Sequence, residues 1–164
     1  MGSLVRAQEG EQKATSKGVA FLFIFRVVMK IHTTNYTNTF IAVADDCPAT
    51  RGEIPPTKRD KKTIANIQFD MISKQPFLYT SDNVLFQVYA DRNDLTKEEY
   101  IEARAQFFSK GQPCLRASPL TKRYGWEVQS DKDGKIALYG CETIEYENRS
   151  KDATLTLVKA MKSH

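Results

Sequence analysis

A polar turn between two β-prone runs constrains the fold of this chain more than any other feature of its sequence. Residues 124–129 and 135–139 contain aromatic and β-branched side chains, and residues 130–134 between them read Ser-Asp-Lys-Asp-Gly. Aspartate and glycine in such a position favour the tight reversal of a β-hairpin. Because a two-stranded hairpin is only marginally stable in water, the rest of the chain must supply elements that pack against it.

Three segments in the middle of the chain have the patterns of helices. Residues 62–74 carry apolar side chains at i, i+3 and i+4 spacings, which predicts an amphipathic helix. Residues 80–82, Thr-Ser-Asp, provide an N-cap and an acidic first turn for a helix over residues 84–89, although the β-branched and aromatic content there also permits a strand. Residues 96–109 begin with a Thr-x-x-Glu capping box and predict a further helix.

The remaining segments complete the predicted fold. Residues 39–44 are short, apolar and β-prone, and they predict the first strand. Residues 114–117 are another strand candidate, residues 142–148 suit a short helix, and residues 154–161 form a last element. We therefore predict an α+β fold in which a small antiparallel sheet with a C-terminal β-hairpin packs against two or three helices.

The first 28 residues differ in composition from the rest. Residues 1–18 are polar without an apolar period, which predicts disorder, and the apolar run of residues 19–25 is shorter than the roughly 20 residues that span a bilayer. We interpret residues 1–28 as a disordered or artefactual extension, and keep an added strand or helix and an export or membrane signal as alternatives. Residues 29–164 are predicted to form a single globular domain.

Composition narrows the class of protein. The 164 residues are 41% hydrophobic and 27% charged, which suits one globular core, and 24 basic residues interleave with 20 acidic ones. The net charge of +4 permits a small anionic ligand but is too weak and scattered for a dedicated nucleic-acid binder, so nucleic acid is a disfavoured partner. Three dispersed cysteines without a C-x-x-C pair fit a reducing compartment, and we expect a cytoplasmic location without a membrane span.

The densest chemistry lies in residues 114–126, which combine cations, hydroxyls and aromatic rings. On a strand, Arg116 and Ser118 point to the same face, so that an anion can bind between them and the turn after them. Arginine offers a bidentate fork, lysine a point charge, and an aromatic ring can stack on a base or sugar. An ordinary solvated loop beside a core tryptophan is the alternative. The candidate ligand-binding residues are Arg116, Ser118, Lys122, Arg123, Tyr124 and Trp126.

Two other kinds of function remain open. Cys114 lies two residues from Arg116, which can stabilise a thiolate, so a thiol-dependent enzyme with His32 as its imidazole is one alternative; a buried, inert cysteine is the ordinary interpretation. A protein-interaction module that uses the Pro55-Pro56 loop and residues 19–25 is the other. The loop of residues 49–62 holds five basic residues and is a candidate lid. No cofactor motif or metal-ligand spacing occurs, so we expect no cofactor and no metal.

Several stretches resemble a known family of small proteins, mainly bacterial with some fungal members, that is grouped as a domain of unknown function. The matching stretches include His32-Thr-Thr-Asn-Tyr36, Gly52-Glu-Ile-Pro-Pro56 and residues 114–126, Cys-Leu-Arg-Ala-Ser-Pro-Leu-Thr-Lys-Arg-Tyr-Gly-Trp, and the resemblance covers nearly everything after residue 29. It implies a natural start at Met29.

The resemblance also marks where this chain departs from the family. It implies glycine where this chain has Glu127, histidine where it has Gln129, and an aliphatic residue where it has Cys141, which favours packing over chemistry for that thiol. It transfers no activity.

Overall fold

The computed structural model describes residues 30–57 and 61–163. The predictions for residues 1–28 fall outside these residues. Within the described ranges, no helix is long and apolar enough to cross a membrane.

Five α-helices lie in the described residues, together with two short 3-10 turns at Lys97–Glu99 and Leu115–Ala117. The helices are α1 Ile64–Lys74, α2 Ser81–Arg92, α3 Tyr100–Phe107, α4 Pro119–Arg123 and α5 Ile144–Ser150. Thr63 and Thr80 begin α1 and α2 with capping boxes, each closed by an asparagine at the third helical position. The helical alternative for residues 84–89 is therefore correct, and α1 lies where the sequence predicts it.

Four strands form one sheet across the described residues. They are β1 Thr39–Ala42, β2 Trp126–Ser130, β3 Ile136–Gly140 and β4 Thr156–Lys159, and their order in the sheet is β3-β2-β1-β4. Strand β2 runs antiparallel to both β1 and β3, which confirms the predicted hairpin and the α+β class. The hairpin is followed by α5 and β4, where the sequence predicts a short helix and a last element.

The sheet is mixed, and the antiparallel arrangement predicted for it is wrong at one edge. Strand β4 pairs parallel to β1, with Phe40 opposite Leu157 and Ile41 opposite Val158. Strand β4 follows β3 in the chain, and the connection between them must bring the chain back to the end of the sheet where β1 begins. Helix α5 forms part of that connection. Strand direction depends on this long-range return, which the pattern of residues 154–161 does not encode.

The strand predicted at residues 114–117 is also wrong. Ala117 N donates to Cys114 O at 2.9 Å and Ser118 N donates to Leu115 O at 3.0 Å, so the backbone turns as a 3-10 segment. Ser118 then caps α4, and Pro119 occupies the first turn, where its missing N–H costs no hydrogen bond. Arg116 and Ser118 consequently do not share the face of a strand.

One face of the sheet holds the main core. Ile41 and Val128 from this face pack with Ile72 of α1, Val84 of α2 and Leu120 of α4, and all five are at most 1% exposed. Helix α5 covers the other face, where the ring centroids of Tyr146 and the fully buried Phe40 are 5.9 Å apart. Helices α1, α2 and α4 therefore share one side of the sheet, and the clefts described below lie among them.

Candidate functional site

The turn at Gly125 separates two of the predicted site residues, Tyr124 and Trp126. This glycine has φ +66, a left-handed conformation that side chains other than glycine adopt at a cost. An added Cβ would collide with the carbonyl oxygen of Arg51. The turn leaves Tyr124 at the end of α4 and sends Trp126 into β2, so neighbouring residues of the motif face different surroundings.

Arg116 holds the end of β4. Its Nε donates to the carbonyl oxygen of Lys159 at 2.7 Å, and its own carbonyl oxygen accepts from Met161 N at 2.8 Å. The guanidinium group is used in a contact between the 3-10 turn and the C-terminal strand, and it does not line the cleft described below.

Ser118 and Trp126 also make internal contacts. Ser118 Oγ is buried, donates to Gln68 Oε1 at 2.6 Å and accepts from Leu120 N at 3.1 Å. Trp126 Nε1 donates to Glu53 O at 2.7 Å, while its ring packs on Phe69 with 5.2 Å between centroids. These contacts anchor α4 to α1 and fix the loop before α1, and they leave neither polar group turned toward a ligand.

Lys122, Arg123 and Tyr124 line an open cleft with a volume of about 940 Å³. Lys61 and Lys62 lie on its wall before α1, and Arg92 lies on its wall at the end of α2. We call this the basic cleft, defined by Lys61, Lys62, Arg92, Lys122 and Arg123. Among the described residues, Asp91 and Asp94 are the acidic groups on its wall, and they lie among the five cations.

The cations of the basic cleft differ in their partners. Lys62 Nζ lies 2.6 Å from Asp70 Oδ2, and this hydrogen bond raises the pKa of Lys62 and lowers that of Asp70. In the part of the chain that the structure describes, no carboxylate lies within ion-pair distance of Lys61, Arg92, Lys122 or Arg123. Four positive side chains of the cleft are thus available to an anion.

A second, more apolar depression adjoins the basic cleft. It has a volume of about 440 Å³ and is walled by Leu85, Val88 and Tyr89 of α2 and by Phe107 of α3, and we call it the apolar hollow. Ile64, Arg92, Ala117 and Pro119 line both depressions, so these residues form a border that the two share.

Cys114 lies on the wall of the apolar hollow, where its thiol contacts Tyr36. Its Sγ is 3.6 Å from Tyr36 Oη, and this hydrogen bond, followed by burial, raises the pKa of Tyr36. The backbone N–H of His32 donates to Phe108 O at 2.9 Å. Among the described residues no hydrogen bond joins His32 to Cys114.

In the loop that contains Pro55 and Pro56, the contacts of Pro55 are internal. Pro55 is buried, and its carbonyl oxygen accepts from Asn66 Nδ2 at 2.6 Å. Ile54 beside it is 75% exposed. Residues 19–25, the other half of the predicted interaction surface, lie outside the described residues.

A buried carboxyl group lies on the sheet face under α5. Glu127 is fully buried in β2, its Oε1 accepts from Val43 N at 3.0 Å, and its Oε2 has no hydrogen-bond partner among the described residues. Burial raises the pKa of Glu127 to about 7, against weaker opposing contributions from the Val43 hydrogen bond and the charge of Lys159. The sequence gives no sign of this burial beyond the position of Glu127 within a predicted strand.

Sequence reasoning missed three residues of the basic cleft as ligand-binding candidates: Lys61, Lys62 and Arg92. Lys61 belongs to the loop that the sequence marks as a candidate lid, and Arg92 is a basic residue in the last turn of α2. Their approach to Lys122 depends on how α1, α2 and α4 pack. Within residues 30–57 and 61–163, no group of three or more His, Cys, Asp or Glu side chains is placed to hold a metal.

The fold and these depressions define an α+β domain with a mixed four-stranded sheet and a basic surface cleft between helices. The chain belongs to a family of unknown function, DUF6157, whose model matches residues 31–164. This confirms the resemblance found in the sequence. Comparisons with curated proteins and with solved structures give no match.

Proposed function

We propose that this domain binds a small anionic or nucleotide-like ligand in the basic cleft. The observation that carries the proposal is the convergence of Lys61, Arg92, Lys122 and Arg123, from three separate parts of the chain, on one cleft of about 940 Å³. Like charges gathered on one concave surface repel one another, and an anion relieves that repulsion. The volume lies within the range of small-molecule sites, which is roughly 300 to 1,000 Å³.

The proposed set of ligand-binding residues differs from the six residues predicted from sequence. Lys122, Arg123 and Tyr124 remain in it, Lys61 and Arg92 join it, and the half-buried Tyr124 offers a ring for stacking on a base or sugar. Because the cations are at least partly exposed and two carboxylates lie among them, binding is expected to weaken as the salt concentration rises.

A calorimetric titration with inorganic phosphate and with adenosine monophosphate at low ionic strength tests the proposal. We expect the Lys122→Ala, Arg123→Ala double variant to bind each anion about tenfold more weakly, because two charged hydrogen-bond donors are removed. Lys132→Ala is the matched control, since Lys132 is an exposed lysine in the hairpin turn. Equal affinity in the double variant and the control, or no binding by the unmodified chain, contradicts the proposal.

The second candidate is a thiol-dependent enzyme that uses Cys114. The position of this thiol on the wall of the apolar hollow, next to the basic cleft, favours it over a role for the other two cysteines. The lack of a hydrogen-bonded imidazole ranks it below ligand binding. A cytoplasmic location stays a prediction, and so does nucleic acid as a disfavoured partner.

A further inference from the structure

The apolar hollow restricts the kind of ligand that suits the basic cleft. From its shared border with the cleft we infer that the ligand is an amphipathic small molecule, with a phosphate or carboxylate in the basic cleft and an aryl or short alkyl group in the apolar hollow. This inference rests on the proposed function and names the ligand class for the same site.

The first support is the shared border. Three apolar residues, Ile64, Ala117 and Pro119, line both depressions, and Arg92 lines both as well. A molecule whose anionic group lies near Lys122 therefore has apolar surface of this shared border beside it, with the hollow on the other side of the border. The cations lie mainly in the basic cleft, and the aromatic and aliphatic walls lie in the apolar hollow.

The second support is the chemical state of the polar groups around the hollow. Gln68 and Ser118 hydrogen-bond to each other at 2.6 Å, Gln112 Nε2 donates to Phe107 O at 2.7 Å, and Asn93 Nδ2 donates to Tyr89 O at 2.7 Å. Each polar side chain named here already has a protein partner. A ligand group that enters the hollow thus gains by removing apolar surface from water and has few unpaired polar groups to satisfy.

The third support is that the walls are held in place before a ligand arrives. Phe107 packs against Tyr89 with 4.9 Å between ring centroids, and both rings contact Phe86, which is 4% exposed. Val88 is likewise buried, whereas Leu85, Tyr89 and Phe107 are half-buried and contribute to the open surface of the hollow. A preformed apolar wall binds without the cost of ordering its side chains.

The experiment compares three probes on the unmodified chain: inorganic phosphate, hexyl phosphate and hexanol. We expect hexyl phosphate to bind at least about tenfold more tightly than inorganic phosphate, because each methylene group buried in the hollow adds to the affinity. Hexanol alone should bind more weakly than hexyl phosphate. Nuclear Overhauser effects between the hexyl protons and the methyl groups of Leu85 and Val88 should locate the chain in the hollow.

Two variants separate the ends of the ligand. Leu85→Gln, at a half-buried position, should lower the affinity for hexyl phosphate severalfold and leave that for inorganic phosphate unchanged, whereas the Lys122→Ala, Arg123→Ala variant should weaken both. If Leu85→Gln does not fold, the probe comparison and the Overhauser effects on the unmodified chain decide the question alone.

The outcomes distinguish this inference from the proposed function. If neither phosphate binds, the proposed function fails. If inorganic phosphate binds and hexyl phosphate binds no more tightly, only the amphipathic ligand is ruled out. Hexyl phosphate that keeps its affinity in the double variant binds through its chain alone, which also overturns the inference. Stronger binding to phosphatidic acid vesicles than to monomeric hexyl phosphate would replace the small molecule with a lipid surface.

Discussion

At the scale of single residues, Glu127 is the most unusual group in the described chain. One of its carboxylate oxygens accepts a backbone hydrogen bond and the other has no partner, on a sheet face that α5 covers. Burial raises the pKa of Glu127 from its ordinary value of 4.5 to about 7. In the folded chain the carboxyl group therefore keeps its proton at pH values where the unfolded chain has released it.

The stability of the chain is expected to fall as pH rises through this window. Below about pH 4.5 Glu127 is protonated in both the folded and the unfolded chain, so it does not change the free energy of unfolding. Between pH 4.5 and about 7 the free energy of unfolding declines, by at most about 3 kcal/mol. Glu127→Gln keeps the oxygen that accepts from Val43 N and cannot ionise. We expect this variant to exceed the unmodified chain in stability at pH 8 and to match it near pH 4.5, as measured by urea denaturation.

The control for this prediction is Glu145→Gln in α5, at an exposed position on the covering helix. Its stability relative to the unmodified chain should change little between the two pH values. A difference between Glu127→Gln and the unmodified chain that is the same at pH 4.5 and pH 8 would show that Glu127 does not carry the titration.

At the scale of elements, the turn between α4 and β2 leaves Tyr124 on the basic cleft and directs Trp126 away from it. Gly125→Ala forces a left-handed residue to carry a Cβ and drives that atom into the carbonyl oxygen of Arg51. We expect a loss of at least about 2 kcal/mol in the free energy of unfolding, measured by chemical denaturation. Gly111→Ala is the matched control, because the nearest atom to its added Cβ is His32 Nδ1 at 4.0 Å, and its stability should barely change. Similar losses in the two variants would contradict this role of the turn.

The elements also show what sequence alone can and cannot provide. The N-cap at Thr80 and the hairpin turn act within a few residues, so local patterns predict them correctly. Residues 114–117 are a strand candidate in the sequence, yet the backbone there forms a 3-10 turn, and Ser118 and Pro119 directly after it begin a helix. The local density of charge predicts Lys122 and Arg123, whereas Lys61 and Arg92 meet them only through the packing of three helices.

At the scale of the whole molecule, the C-terminal strand is attached to the sheet edge by few contacts outside its pairing with β1. Arg116 contributes one of these through Lys159 O, while Lys159 and Lys162 form exposed ion pairs with Asp45 at 3.2 and 3.7 Å. Exposed ion pairs add little to stability, whereas a hydrogen bond from a charged donor to a backbone carbonyl adds more. The attachment of β4 should therefore depend on Arg116 more than on either lysine.

Amide hydrogen exchange tests this dependence. Arg116→Ala is expected to speed exchange at Ala160 and Met161, whose amides donate to Ala42 O and Arg116 O, by about tenfold, because the opening of the strand end loses one charged hydrogen bond. Amides of the β2–β3 hairpin should keep their rates, and Lys162→Ala should change neither set. Unchanged exchange at Ala160 and Met161 would mean that pairing with β1 alone holds the edge. If Arg116→Ala instead weakens phosphate binding as much as the loss of Lys122 and Arg123, Arg116 contacts the ligand and belongs to the ligand-binding residues.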